Sequence, residues 1–209
     1  MTPSAPMRRE PLLRTQALRR LAVGPVDLAV DAGECVALMG PSGAGKSVLL
    51  RMLADLDPHE GDAFLDGLPC AAMPAPAWRR QVAYVPADSG WWSVRVADHF
   101  AADTDYAALL PRLDIAAQAA TWPVARLSTG ERQRLALLRA LRPAVRVLLL
   151  DEPTSGLDAD SVARVEALLR EQLQAGLAIL MVTHDRAQAQ RLATRRLVLQ
   201  GGQVTEAAT

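Results

Sequence analysis

The single lysine of the chain, Lys46, lies in a glycine-rich stretch between two apolar segments. The stretch fits the pattern G-x-x-x-x-G-K-[ST] and reads Gly40-Pro41-Ser42-Gly43-Ala44-Gly45-Lys46-Ser47. The apolar run 35–39 before it predicts a strand, and the run that begins at Val48 predicts a helix whose N-terminus attracts anions. A glycine-rich turn with an exposed lysine is the alternative, and it does not account for the flanking strand and helix. We therefore predict a loop that binds a nucleoside triphosphate through its backbone N–H groups.

Within this loop the two polar side chains have different predicted roles. Lys46 is expected to neutralise the β- and γ-phosphates and so to assist catalysis, and the Ser47 hydroxyl is expected to bind Mg²⁺. About a hundred residues downstream, the apolar run 147–150 ends in Asp151 and Glu152. Ligands of parallel sheets bind beyond the carboxyl ends of the strands. Asp151 is therefore predicted to hold Mg²⁺ and Glu152 to act as the base on an attacking water, although solvated acids at a strand end are the simpler alternative.

Three further stretches carry a family resemblance. They read Leu127-Ser128-Thr129-Gly130-Glu131-Arg132-Gln133-Arg134, Pro153-Thr154-Ser155-Gly156-Leu157-Asp158 and Val182-Thr183-His184-Asp185. In this order and spacing, over residues 12–204, the chain resembles the nucleotide-binding domains of the ATP-binding cassette (ABC) family. The resemblance implies ATP and Mg²⁺ as cofactors and ATP hydrolysis as the activity. It also implies a transmembrane permease subunit and a second copy of the domain, most simply a homodimer, as partners.

The resemblance assigns roles to four more residues. Ser128 and Gly130 would form a cap that binds the ATP held by the P-loop of the second copy. Asp158 would be the D-loop aspartate, which crosses the dimer interface, and His184 would contact the γ-phosphate as a catalytic residue. Simpler alternatives stay open: Ser128 forms a capping box with Glu131, Asp158 caps the next helix, and His184 is polar surface.

The chain also departs from the family pattern. The stretch 18–24 lacks the aromatic residue that stacks on adenine in the family, so Arg20 is the candidate for that role. Ala87 stands where the family has the glutamine of the Q-loop, and Asp88 is a candidate replacement as a metal ligand. In the signature stretch, Thr129-Gly130-Glu131 replaces the commoner Gly-Gly-Gln.

Composition limits the class of protein. The chain has 209 residues, 50% of them hydrophobic, and 23 basic and 23 acidic side chains give a net charge of zero, which argues against nucleic-acid binding. Two cysteines do not make a disulfide framework. No apolar stretch follows the N-terminal arginines, and no run is long enough to span a membrane. These features predict a cytoplasmic chain, and the resemblance implies a position on the inner face of the cell membrane, to which the chain is attached only through its partner.

Alternating strands and helices predict one α/β domain over residues 1–209. The expected architecture is a P-loop NTPase core with a mainly parallel sheet, an antiparallel N-terminal β subdomain and a short helical signature subdomain at about 88–127. The alanine-rich section from Val94 to about Ala120 is expected to be helical. Residues 1–10 and 206–209 are expected to be loose ends.

The aromatic residues Trp91, Trp92 and Phe100 follow the Q-loop closely. The resemblance implies a groove there for a cytoplasmic helix of the permease, and filling of the subdomain core is the equal alternative. The favoured function is that of the ATPase subunit of an ABC transporter. The rivals are a soluble ABC ATPase and a nucleotide-gated regulatory module with little turnover. The absence of the Q-loop glutamine at Ala87 and of the adenine-stacking aromatic residue favours the regulatory module.

Overall fold

The computed structural model describes residues 10–101 and 105–207. Its strands are β1 Leu13–Arg20, β2 Val23–Val26, β3 Ala29–Val30, β4 Cys35–Met39, β5 Glu60–Leu65, β6 Leu68–Pro69, β7 Val82–Val85, β8 Val147–Asp151, β9 Ala178–Val182, β10 Arg195–Gln200 and β11 Gln203–Glu206. Its helices are α1 Lys46–Leu53, α2 Ala75–Gln81, α3 Tyr106–Leu109, α4 Thr129–Ala140, α5 Ala159–Gln174 and α6 Arg186–Leu192.

A mainly parallel sheet forms the centre of the fold. Its strands follow the order β11-β10-β4-β9-β8-β7, and all pairs are parallel except the β10–β11 hairpin. Along β8 the side chains alternate between two apolar cores: Val147 and Leu149 belong to the core that includes α1, and Leu148 and Leu150 to the core that includes α4 and α5. Because both faces are covered, the strand is apolar at every position but its last. The predicted α/β class is confirmed.

The N-terminal strands form a separate antiparallel sheet in the order β2-β1-β5-β6, with β3 also paired to β1. This sheet shares its core with α1 and the parallel sheet, and Trp78 of α2, fully buried, donates from its indole N–H to the Leu53 carbonyl at 2.9 Å. The antiparallel subdomain therefore matches the prediction. None of the helices in the described ranges is both long and apolar enough to cross a membrane.

The alanine-rich section is not the helical section that the sequence predicts. Between Val94 and Ala120 the described residues form α3, a single turn, and short 3₁₀ turns such as Pro111–Leu113. Pro111 has no N–H to donate to a longer helix, and Asp114 ends the turn in the left-handed region with φ of +53°. The helix propensity of alanine is thus overruled by local helix breakers.

The chain end is also more ordered than predicted. Glu206 is the last residue of β11, where it pairs with Leu197, and its carboxylate lies 3.2 Å from the Arg195 guanidinium. The expectation of a loose end is therefore wrong at Glu206. The other residues of that expectation, 1–9 and 208–209, lie outside the described part of the chain, whereas Glu10 is exposed and belongs to no helix or strand.

Candidate functional site

The predicted site residues meet at one edge of the parallel sheet. The carboxyl ends of β4, β9, β8 and β7 lie side by side in that order, and Val182 is in register with both Leu38 and Asp151. The P-loop follows β4 and His184 follows β9, while Asp151 is the last residue of β8 and Glu152 comes directly after it. The topology therefore brings together three segments that are far apart in sequence.

The P-loop has a backbone that requires glycine at two points. Gly40 and Gly45 have φ of +143° and +98°. A Cβ at Gly40 would lie 2.2 Å from the Leu199 carbonyl oxygen, and one at Gly45 would lie 2.2 Å from a Val23 methyl group. At the tip of the loop, by contrast, a Cβ on Gly43 would meet open space. The loop thus packs closely against Leu199 at Gly40 and against Val23 at Gly45, whereas at Gly43 there is space for a ligand.

The positive charge of the loop comes from Lys46, which is only 7% exposed. Its ammonium group donates hydrogen bonds to the carbonyl oxygens of Gly40 and Pro41 at 2.8 and 3.0 Å. No side chain in the described residues caps the N-terminus of α1 at Gly45, so the first N–H groups of the helix have no side-chain acceptor. A cation inside the loop and a helix N-terminus without a cap are the features that a triphosphate requires.

The end of β8 has a feature that the sequence did not predict. The Tyr84 hydroxyl donates a hydrogen bond to Asp151 Oδ2 at 3.1 Å, and Asp151 is buried. Burial and the negative charge of Asp151 raise the pKa of Tyr84, so the hydroxyl stays protonated as the donor. No cluster of three His, Cys, Asp or Glu residues able to hold a metal occurs in the described ranges. A Mg²⁺ ion here would suit one carboxylate, the exposed Ser47 hydroxyl, phosphate oxygens and water, which is the set that Mg²⁺ prefers.

Tyr84→Phe is expected to raise the Mg²⁺ concentration for half-maximal ATP hydrolysis by about tenfold, because it removes the hydrogen bond that orients Asp151. A Mg²⁺ titration of phosphate release measures the change. Tyr106→Phe is the matched control, since that ring packs on Phe100 away from the site. An unchanged Mg²⁺ dependence for Tyr84→Phe would contradict the prediction.

Glu152 follows Asp151 with its backbone in the left-handed region, φ +52°, which costs a non-glycine residue about 1–3 kcal/mol. Its N–H donates to the Val182 carbonyl at 3.0 Å, and its carbonyl accepts from the Gln133 side-chain amide at 2.8 Å. Its side chain is 21% exposed, and Oε1 lies 3.1 Å from His184 Nε2. Oε1 is buried, and despite this short distance it makes no hydrogen bond to any of the described residues. A carboxylate oxygen free to accept a proton therefore lies beside the histidine.

Ser128 forms the capping box that was the simpler alternative for this residue. Its hydroxyl oxygen accepts from the Glu131 N–H at 3.2 Å, and Glu131 Oε2 accepts from the Ser128 N–H at 2.8 Å. Although burial raises the pKa of Glu131, the hydrogen bonds from Ser128 lower it overall. No hydrogen bond or ion pair in the described residues joins Ser128 or Gly130 to the P-loop of the same chain. That Ser128 and Gly130 bind the ATP held by the P-loop of a second copy stays a prediction.

Asp158 is the N-cap of α5, as the simpler alternative had it. Its carboxylate accepts from the Ser161 N–H at 2.8 Å and from the Ser161 hydroxyl at 2.9 Å, and these hydrogen bonds lower its pKa. The Arg134 guanidinium, on α4, donates to the same Ser161 hydroxyl. Through Ser161 and Arg134, the Asp158 carboxylate is linked to α4. The D-loop role of Asp158 stays a prediction.

Two more residues of the site region were not predicted. Gln133 holds the Glu152 carbonyl, and the fully buried Gln188 donates to the Thr154 hydroxyl at 2.7 Å, which ties α6 to the loop after β8. Gln133 belongs to the stretch 127–134 that carries the family resemblance, but nothing in the sequence assigns it a role, and Gln188 occurs in a polar helical stretch without any motif. Only the packing of α4 and α6 against that loop distinguishes them from surface residues.

Three residues at positions where the chain departs from the family pattern are Arg20, Ala87 and Asp88. The guanidinium of Arg20 donates to the Pro58 carbonyl at 2.6 Å, so it is engaged away from the P-loop in this conformation. Its stacking on adenine stays a prediction. Ala87 and Asp88 are exposed in the loop after β7, at the same edge of the sheet as Asp151. The metal role of Asp88 likewise stays a prediction.

The sequence of the chain matches a known protein family and several characterised relatives. Residues 23–155 match the family model described as ABC transporter. The aliphatic sulfonates import ATP-binding protein SsuB 2 of Paracoccus denitrificans is 41% identical over 88% of this chain and 73% of its own. The phosphate import ATP-binding protein PstB 2 of Natronomonas pharaonis is 37% identical over 87% of this chain and 72% of its own.

Solved structures agree with the sequence relatives. An ATP-binding cassette solved as a dimer in a post-hydrolysis state with ADP and Pi has a TM-score of 0.81 and 25% identity, over 93% of this chain and 97% of its own. A bacterial Atm1-family ABC exporter with ATP bound has a TM-score of 0.78 and 26% identity, over 93% of this chain and 38% of its own. The chain belongs to the ABC transporter family and is an ATP-binding, ATP-hydrolysing subunit of that family.

Proposed function

We propose that the chain energises solute transport as one of two identical ATPase subunits, each bound to a transmembrane permease subunit on the inner face of the cell membrane. The observation that carries the proposal is the shared sheet edge, where the P-loop, Asp151, Glu152 and His184 are assembled. A pure nucleotide sensor has no use for a carboxylate beside a histidine, so this geometry disfavours the regulatory rival.

Each group of the site has a proposed role. Lys46 and the loop 40–48, through the backbone N–H groups that all its residues except Pro41 possess, bind the phosphates of ATP. Ser47 and Asp151 hold Mg²⁺, which draws charge from the phosphates when bound. Glu152 accepts a proton from the attacking water, and His184 orients that water at the γ-phosphate. These roles suit the buried ammonium group of Lys46 and the Glu152 Oε1 atom that lies beside His184.

The second copy completes the site in this proposal. Ser128 and Gly130, at the exposed N-terminus of α4, bind the γ-phosphate of the ATP on the opposite P-loop, and Asp158 crosses the interface beside them. Closure excludes water from the two ATP sites, and hydrolysis reopens the pair, which moves the permease subunits. Because the relatives are named for different cargoes, the proposal assigns only the ATPase half of the transporter.

The permease contact is proposed at a groove between β7 and α4, with a volume of about 370 Å³. Trp92, which lines the groove, is 71% exposed, whereas Trp91 and Phe100 pack against the core that includes α4. The core-filling alternative therefore holds for Trp91 and Phe100. An exposed indole in a concave surface fits the docking of a partner helix.

Affinity purification of the C-terminally tagged chain from detergent-solubilised native membranes tests the function. We expect mass spectrometry to identify one polytopic membrane protein, and Trp92→Ala to reduce its recovery at least about fivefold with ATP binding unchanged. Leu68→Ala is the control, because Leu68 is an exposed apolar residue on the antiparallel sheet. A chain that hydrolyses ATP but recovers no membrane protein would instead support the soluble ATPase. Recovery unaffected by Trp92→Ala would exclude the groove as the docking site.

A further inference from the structure

The backbone of Glu152 is held in its left-handed conformation by three hydrogen bonds. Its N–H donates to Val182 of β9, and its carbonyl accepts from the Ser155 N–H at 3.2 Å and from Gln133 Nε2 at 2.8 Å. Two of these bonds come from backbone groups. Gln133 is therefore the one side chain, within residues 10–101 and 105–207, that bonds to the backbone of the candidate base.

Gln133 belongs to the same helix as the Ser128 cap. The next residue, Arg134, donates to the Ser161 hydroxyl, which donates in turn to the Asp158 carboxylate. Two consecutive side chains of α4 are thus linked to the two ends of the segment 152–158, which connects β8 to α5: Gln133 directly and Arg134 through Ser161. A displacement of α4 would act on the Glu152 backbone first, because that bond is direct.

We propose that Gln133 is a positioning residue of ATP hydrolysis: its side-chain amide fixes the Glu152 backbone so that the carboxylate stays beside His184, and it thereby links α4 to the base. The inference rests on the proposed function of Glu152. Without the bond, the left-handed backbone has one restraint fewer, and the carboxylate is free to leave the position 3.1 Å from His184.

Gln133→Met tests the proposal because methionine has a similar length and volume and no donor. In the full-length chain we expect kcat to fall about tenfold, while KM and the dissociation constant for ATP stay within about twofold, since the P-loop is untouched. Gln133→Lys, which restores a donor at about the same reach, should recover part of kcat. Gln174→Met, on the exposed last residue of α5, is the matched control and should behave as wild type.

A double variant separates positioning from a general structural effect. If Gln133 acts through Glu152, then Gln133→Met should slow the Glu152→Gln protein no further. An equal fold-loss in both backgrounds, an unchanged kcat, or a loss confined to ATP affinity would overturn the proposal. A fall in kcat that Gln133→Lys does not relieve, with a lowered melting temperature, would show a merely structural role. Wild type and Glu152→Gln are measured first, so that a failure of Glu152 as the base is recognised separately.

Discussion

Glu152→Gln is expected to bind ATP about as tightly as wild type and to lose at least about 100-fold in turnover, because a general base contributes about 10²–10⁴-fold and an amide cannot take a proton from water. The proposal that Glu152 is the base rests on its Oε1 atom, which is buried, lies 3.1 Å from His184 Nε2 and has no hydrogen-bond partner in the described ranges. The substitution preserves the size of the side chain, so it removes the charge and the basicity with little change in shape.

The measurement is steady-state phosphate release, with the dissociation constant for ATP determined in parallel. Because hydrolysis reopens the proposed dimer, Glu152→Gln should also accumulate as an ATP-bound dimer, visible by sedimentation. Glu60→Gln is the matched control, since Glu60 is an exposed acid that pairs with Arg19 at the surface. Phosphate release at the wild-type rate would remove Glu152 as the base, and a loss of ATP binding would assign it a structural role instead.

The sequence predicted the core of the site because short-range patterns determine it. The runs 147–150 and 178–182 are apolar at every position, which is the pattern of strands covered on both faces, and β8 and β9 are such strands. Parallel strands bring the residues after their carboxyl ends to one edge of the sheet, so the P-loop, Glu152 and His184 had to converge once the strand assignments were right.

Contacts that are remote in sequence determine features of the structure that no local pattern shows. Strand β1, for example, continues to Arg20, and near its end Arg19 pairs with Glu60 of β5 across the antiparallel sheet. Likewise, no local sequence pattern predicts the hydrogen bond from Tyr84 to Asp151 or the one from Gln133 to Glu152. Those contacts result from the parallel pairing of β7 with β8 and from the packing of α4 against the loop after β8, which one-dimensional periodicity does not encode.

Lys46→Met is the second substitution with a large expected effect. It should weaken ATP binding about 100-fold or more and abolish hydrolysis, because the phosphates lose the one cation enclosed by the loop in the described residues. The variant also leaves the carbonyl oxygens of Gly40 and Pro41 without their donor. Each hydrogen bond from a charged group contributes about 1.5–3 kcal/mol, so the melting temperature should fall by several degrees.

Arg51→Met is the matched control for Lys46→Met, because it removes a positive charge from the same helix but not from the loop. Arg51 is on the same helix, but its guanidinium pairs with Asp57 at 2.8 Å and not with the loop, so its loss should leave ATP affinity within about twofold. Isothermal titration with a non-hydrolysable ATP analogue measures both variants. If Lys46→Met bound the analogue as tightly as wild type, the backbone N–H groups and the α1 N-terminus would be sufficient for binding. In that case the role of the ammonium group would be limited to the charge that develops during hydrolysis, and kcat alone would record its loss.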